Sequence, residues 1–251
     1  MLPTVLHILA SRRERRSPGF VLLFDPDRAD LEALARQAAA AERAGADACL
    51  VGGSLLTSSH QEAVLAQLKA SCSLPRVLFP GSVTQLSPGA DALFFLSLLS
   101  GRNPEFLIGQ HVVAAPRLRE LNLEVIPTGY LLIDCGRPTS ASYISGTQPI
   151  PYDKPEIAAS TALAGEYLGM KLLYLDGGSG AAQPIHPETI AAVREWTQLP
   201  LVVGGGIRDA MQAAAAWNAG ADWVVVGTAF EENGSAELLE ELAQTAALCA
   251  L

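Results

Sequence analysis

The feature that most limits how this chain can fold is an alternation. Short apolar runs recur along its length, each separated from the next by an alanine-rich stretch. Candidate strands lie at 20–24, 48–51, 76–79, 92–95, 124–126 with 131–133 close by, 171–175, 201–203 and 223–226. Several are apolar at consecutive positions, as parallel strands covered on both faces require. Candidate helices lie at 30–44, 59–70, 104–121, 154–168, 187–197, 209–219 and 236–248. No strong helical pattern stands between 76–79 and 92–95, so the third crossover is expected to be irregular. A weak repeat supports the same reading. Ala44-Gly45-Ala46-Asp47 and Ala219-Gly220-Ala221-Asp222 each precede a strand, and Pro88-Gly89-Ala90-Asp91 is a partial copy. Glycine there closes a helix and returns the chain into a strand. The pattern predicts an α/β fold, a closed (β/α)8 TIM barrel modified at its third crossover, over an open sheet. No linker or shift in composition divides residues 1–251, so one domain is expected.

The charge balance narrows the partners. Seventeen Lys and Arg against 26 Asp and Glu give a net charge of −9. That disfavours nucleic acid, which needs a basic face, but not an anionic substrate held at a local site. Cys49, Cys72, Cys135 and Cys249 lack metal-ligand spacing and read as reduced thiols of a cytoplasmic protein. Arg12, Arg13, Arg15 and Arg16 interrupt the place where a secretory h-region would continue. They read as a solvated helix face rather than an anion funnel. The most apolar stretch, 92–99, is far shorter than the ~20 residues that span a bilayer. His7, His60, His111 and His186 have no ligand spacing and read as structural.

Four motifs carry chemistry. LVVGGGIRD at 201–209 and VVVGTA at 224–229 end the seventh and eighth strands in glycine. Backbone N–H groups without a Cβ beside them approach phosphate oxygens closely, and loops after strands 7 and 8 are the usual phosphate site of such barrels. Gly205, Gly206, Gly227 and Thr228 are the candidate donors. FDPDR at 24–28 puts Asp25 at the end of the first strand, facing the catalytic mouth, while Asp27 or Asp30 can cap the following helix. VGGS at 51–54 ends the second strand with Ser54. Asp25 and Ser54 form a sparse oxygen set for Mg²⁺, sufficient when substrate phosphates and water complete the shell. YLDGGSG at 174–180 places one carboxylate, Asp176, beside phosphate-type glycines. A carboxylate repels a phosphate, so the pairing suggests two jobs in one site.

Together these residues resemble the geranylgeranylglyceryl phosphate synthases and related prenylglyceryl phosphate synthases. The likeness runs from about Gly19 to Phe230. It includes FDPDR, VGGS, LFPGS at 78–82, FFLSLLSGRNPEFLIGQHV at 94–112 and EVIPTGYLLID at 124–134, then KPEIAASTALAGEYLGMKLLYL at 154–175, GGSGA, GGGIRD and VVVGTAF. The resemblance implies a modified TIM barrel joining a prenyl diphosphate to sn-glycerol 1-phosphate, with Mg²⁺ as cofactor and pyrophosphate released. It implies Asp25 and Ser54 at the metal. Tyr174, Leu175, Asp176, Gly177, Gly178, Ser179 and Gly180 would form the glycerol phosphate site with Gly205, Gly206, Gly227 and Thr228. Tyr174 and Asp176 would be catalytic. It also implies a homo-oligomer, dimer or hexamer. A C20 chain is expected, with C35 the alternative. Two positions depart from the family: Asp176 stands where Glu is common, and Arg28 where Lys is common. Phe79, Phe94 and Phe95 are candidates for the prenyl groove and equally for the core, and 136–152 is a candidate lid. Two other readings compete on the residues alone. One is a phosphate-binding isomerase or lyase barrel of amino-acid biosynthesis; the other is a barrel that binds a phosphorylated metabolite without catalysis.

Overall fold

The computed structural model describes residues 4–227 and 236–250. Eight parallel strands close into a barrel in sequence order. They are β1 (Gly19–Phe24), β2 (Cys49–Val51), β3 (Arg76–Leu78), β4 (Ala92–Leu98), β5 (Glu124–Leu132), β6 (Leu172–Asp176), β7 (Leu201–Gly204) and β8 (Trp223–Val226). The helices are α1 (Val5–Glu14), α2 (Leu31–Arg43), α3 (Gln61–Ser71), α4 (Gln110–Leu121), α5 (Ser140–Ser145), α6 (Pro155–Tyr167), α7 (Pro187–Trp196), α8 (Ala210–Asn218) and α9 (Ala236–Cys249). Asp30 caps α2, its side chain accepting from the Ala33 N–H at 2.7 Å, and Asp209 caps α8 in the same way.

The two-residue period of each strand divides the core into two layers. Val21, Leu50, Val77, Phe94, Ile126, Tyr174, Val202 and Val225 fill the barrel. Leu22, Val51, Leu78, Leu93, Leu131, Leu175, Val203 and Val224 face the helices. Between β3 and β4 only a 3₁₀ turn, Val83–Gln85, stands where a crossover helix is expected. The third crossover is therefore irregular, as the sequence predicts.

Three elements differ from expectation. α1 was not among the candidate helices; Val5 and Leu9 drive it into the barrel interior, beside Trp223. Its first turn is held by Glu124 at the start of β5, whose carboxylate accepts from the Val5 and Leu6 N–H groups at 2.6 and 3.1 Å. The expected pair 124–126 and 131–133 is one strand running through Pro127. Pro127 precedes the first β5–β6 pair, Thr128 with Leu172, so its missing N–H falls below the ladder. α5 lies inside the candidate lid.

The repeated Ala-Asp ends of the sequence motif have one structural use. Asp47, Asp91 and Asp222 each meet an arginine at 2.7 Å: Arg12, Arg76 and Arg194. Asp91 and Asp222 also accept the first N–H of the neighbouring strand, from Arg76 and Leu201, each at 2.8 Å. Asp47 accepts the Trp223 indole N–H at 2.8 Å. Burial pushes the Asp47 and Asp222 carboxyls up, and the arginines oppose it. These pairs fasten the bottom of the barrel, with α1 as its plug. Asp47→Ala strands both the Arg12 guanidinium and the Trp223 N–H. It is expected to cost about 3 kcal/mol in urea unfolding, while the KM values stay at wild type because the mouth lies at the other end.

Candidate active site

The C-terminal ends of the strands hold two adjoining cavities. The first is polar, and Asp25, Ser54, Tyr174, Asp176, Gly178, Ser179, Gly180, Gly205, Gly206 and Gly227 all line it. The structure thus brings together strand ends that are far apart in sequence. Thr228 lies outside the described residues. Leu175 is separated from this group, because its side chain points into the helix-facing core.

The carboxylate of Asp176 ends β6 inside the barrel and is 7% exposed. The Tyr130 hydroxyl donates to its Oδ2 at 2.5 Å, and the Gly178 N–H donates to its Oδ1 at 2.7 Å. Burial pushes the carboxyl up from the ordinary carboxylate range, and the two hydrogen bonds oppose that rise. The result is a fixed, desolvated carboxylate, suited to accept a proton. Tyr130 was not a sequence candidate, since nothing in EVIPTGYLLID marks one residue of a buried strand for chemistry. It packs edge-on against both Phe79 and Tyr174, with ring centroids 5.8 and 5.6 Å away, while Phe79 stacks on Tyr174 at 4.8 Å. The same burial raises both tyrosine hydroxyls well above their ordinary range.

The glycines divide by role. The Gly177 N–H donates to the Gly204 carbonyl at 2.9 Å, and the Gly178 N–H is engaged by Asp176, so neither is left for a phosphate. Gly180, Gly205 and Gly206 have no acceptor for their N–H groups among the described residues. Gly205 and Gly206 have φ of +88° and +74°. A Cβ on Gly205 would lie 2.7 Å from the Gly178 N, and one on Gly206 would lie 2.4 Å from the Gln183 carbonyl. Both positions therefore need glycine for conformation and for space, and together they present a nest of backbone donors.

Across the mouth, the Asp25 Oδ1 accepts the Asp27 N–H at 3.0 Å, and Arg28 stands 3.8 Å from Oδ2. A Cβ on Gly53 would lie 3.5 Å from Asp25 Oδ1, so the carboxylate faces the loop carrying Ser54. Among the described residues no group of three or more His, Cys, Asp or Glu forms a cage. One carboxylate and one hydroxyl are hard oxygen donors, and this sparse set fits Mg²⁺, which keeps much of its shell from phosphate and water. Asp27 does not cap α2. Its carboxylate instead takes both the N–H and the hydroxyl of Thr57 and of Ser58, which fixes the loop after β2.

The second cavity occupies the place of the absent crossover helix and encloses about 120 Å³. Leu93, Phe95, Leu96, Phe106, Ala114 and Leu132 give it an apolar wall. A π-helical turn, Glu105–Gly109, leads into α4, and Phe106 lines the cavity from it. Phe94 is fully buried in the barrel, whereas Phe95 is half-buried and packs edge-on to His111 at 4.4 Å. Tyr130, Phe79 and Ser54 line both cavities, so the two meet beside Asp176. The segment 136–152 roofs the junction. Thr139 closes a capping box on α5, Gly146 ends it, and Ile150 returns to pair with Ile133. Ala141 of α5 lines both cavities.

Hydrogen bonds from Ser58 and Thr57 hold the Asp27 carboxyl at about 2, below its ordinary 3.8. A depressed carboxylate stabilises above its unfolded value, and that contribution is lost as pH falls through the folded one. The clamp on the β2 loop is thus expected to persist at pH 4 and open towards pH 2. In Asp27→Asn the Thr57 and Ser58 amides should exchange hydrogen faster at neutral pH.

Comparison with known proteins agrees with this geometry. The profile of the PcrB family matches residues 10–246. The chain is 49% identical to a geranylgeranylglyceryl phosphate synthase of Chitinophaga pinensis, over 92% of this chain and 91% of that protein. It is 46% identical to one of Thermococcus kodakarensis, over 91% and 90%. Its structure is similar to that of (S)-3-O-geranylgeranylglyceryl phosphate synthase from Thermoplasma acidophilum in complex with sn-glycerol-1-phosphate. The TM-score is 0.92 and the identity 34%, covering 98% of this chain and 100% of the other. The fold, the mouth and these likenesses converge: the chain belongs to the PcrB family.

Proposed function

We propose that this protein is a prenyltransferase that joins a prenyl diphosphate, geranylgeranyl diphosphate by resemblance, to the terminal hydroxyl of sn-glycerol 1-phosphate. The observation that carries this reading is the meeting of a glycine-lined polar cavity with an apolar cavity at a buried carboxylate. An amphiphilic donor and a small phosphorylated acceptor need that combination. An isomerase or lyase of small metabolites has no use for the apolar cavity. A mere binding protein has no use for a desolvated carboxylate at the junction.

In this reading the backbone donors at Gly180, Gly205, Gly206 and Gly227, with Thr228, hold the acceptor phosphate, which orients the hydroxyl at the far end towards Asp176. The allylic C–O bond breaks and its electron pair leaves with the diphosphate. The glycerol oxygen bonds to the same carbon, and the hydroxyl proton passes to Asp176. Tyr174 and Tyr130, beside that carboxylate, shape the space where the bond forms and exclude water. Asp25 and Ser54 would hold Mg²⁺, which when bound offsets the charge of the diphosphate. Aspartate is one methylene shorter than the family's common Glu. Its position at the last residue of β6, steadied by Tyr130 and Gly178, supports a catalytic carboxylate reached by substrate rather than one that reaches out.

Two broader features belong to the same proposal. No described helix is long and apolar enough to cross a membrane, which is compatible with a cytoplasmic enzyme taking its donor from solution or a membrane surface. Ile108, Val112 and Val113, each more than half exposed near the start of α4, support a homo-oligomer through an apolar contact.

The direct test is consumption of labelled sn-glycerol 1-phosphate by the purified chain, which should require both geranylgeranyl diphosphate and Mg²⁺. Asp176→Asn should lower kcat by about 10²–10⁴-fold, the usual range for a lost general base, with the KM for the diphosphate unchanged. Turnover close to wild type in that variant would remove Asp176 from the base role. Asp25→Ala should abolish the Mg²⁺ dependence together with most of the activity; full activity would remove Asp25 from the metal site.

A further inference from the structure

The reading above leaves one charged side chain at the mouth without a task. Arg137 follows Gly136 at the start of the segment that roofs the junction, and it lines the polar cavity. Its guanidinium lies directly over the glycine loop: a Cβ on Gly180 would stand 2.4 Å from Nη2. Arg12, Arg76 and Arg194 each hold a carboxylate at 2.7 Å. Arg137 has no carboxylate within ion-pair distance among the described residues. Asp134, three residues before it, uses its Oδ1 to accept the Gly136 N–H at 3.0 Å. Arg137 is exposed and makes no hydrogen bond that the fold depends on.

The neighbouring arginines are placed differently. Arg208 donates from Nη2 to the Ala181 carbonyl at 3.1 Å, which ties the β7 loop to the glycine loop. Arg28 stands beside Asp25. In an eight-stranded ring, β1 and β5 lie on opposite sides, so Arg28 and Arg137 approach the mouth from opposite walls.

We propose that Arg137 binds the phosphate of glycerol phosphate from above the nest, and so sets the enzyme's preference for a phosphorylated acceptor. This assignment rests on the functional reading given above. Backbone donors at Gly180, Gly205 and Gly206 carry only partial charge. A guanidinium adds a full charge and two parallel N–H donors matched to phosphate oxygens. It comes from the roof segment while the nest comes from the barrel, so the phosphate is gripped from two sides. Asp176, held inside the barrel by Tyr130 and Gly178, stays clear of that anion.

The test uses the full chain with Mg²⁺ and the variants Arg137→Gln and Arg137→Lys. Losing one charge-assisted contact should raise the KM for sn-glycerol 1-phosphate about 10- to 100-fold. The calorimetric Kd for sn-glycerol 1-phosphate alone should rise equally. The kcat and the KM for geranylgeranyl diphosphate should stay within about threefold of wild type, and Arg137→Lys should recover part of the loss, because it restores charge without the fork. Unfolding midpoints should match wild type, since the side chain is exposed. An unchanged KM and Kd for glycerol phosphate, or a rise confined to the diphosphate KM, overturns the proposal. A wild-type chain with no turnover of the two substrates would instead overturn the functional reading on which it rests.

Discussion

A parallel barrel must cover the outer face of every strand, and the whole site depends on one place where this chain leaves that cover out. Seven crossovers of such a barrel can be helical without conflict. Here the third is a 3₁₀ turn, so the apolar outer positions of β3 and β4, such as Leu93 and Phe95, meet a cavity in place of a helix. Apolar surface left open to water is unfavourable. The rest of the barrel is tied shut. Aspartates 47, 91 and 222 pair with arginines at the bottom, Glu124 holds α1 in the lower opening, and the inner layer is filled up to Tyr174.

That arrangement also separates two electrostatic demands that compete at the mouth. A phosphate needs positive potential, whereas proton acceptance needs a carboxylate. The structure places them at different depths. Asp176 is buried at the end of β6, and its oxygens are occupied by Tyr130 and Gly178. The open N–H groups of Gly205 and Gly206 belong to the next loop, on positive-φ backbone that only glycine adopts at low cost. The sequence YLDGGSG therefore contains two functional layers: a carboxylate with the glycine that steadies it, then the glycine that faces the nest.

Much of this was readable before any coordinates. Strand spacing and consecutive apolar positions carry the barrel, and the lack of periodicity between 76–79 and 92–95 carries the missing helix. Both are local patterns. What could not be read depends on partners distant in sequence. α1 has a local cap in Thr4, but its first turn is also held by a carboxylate 119 residues away. The aspartates of the repeat were visible, but their arginines come from three different neighbourhoods. Asp27 resembled a helix cap and serves a loop 30 residues on. Tyr130 and Arg137 lay within motifs already noted, yet only the closing of the ring brings one to Asp176 and the other over Gly180. Leu175 shows the opposite case: strand alternation turns its side chain away from the site between two residues that line it.

The central claim is that the chain of the donor lies in the cavity left by the absent helix while its reactive end meets Asp176. A crystal structure with geranylgeranyl diphosphate and sn-glycerol 1-phosphate bound to the Asp176→Asn variant tests this most directly. The account predicts the acceptor phosphate on Gly205 and Gly206, the first prenyl carbon beside Tyr130, and the chain running between Phe95, Phe106 and Ala114. A prenyl chain leaving the mouth by another route, with that cavity empty, would contradict it.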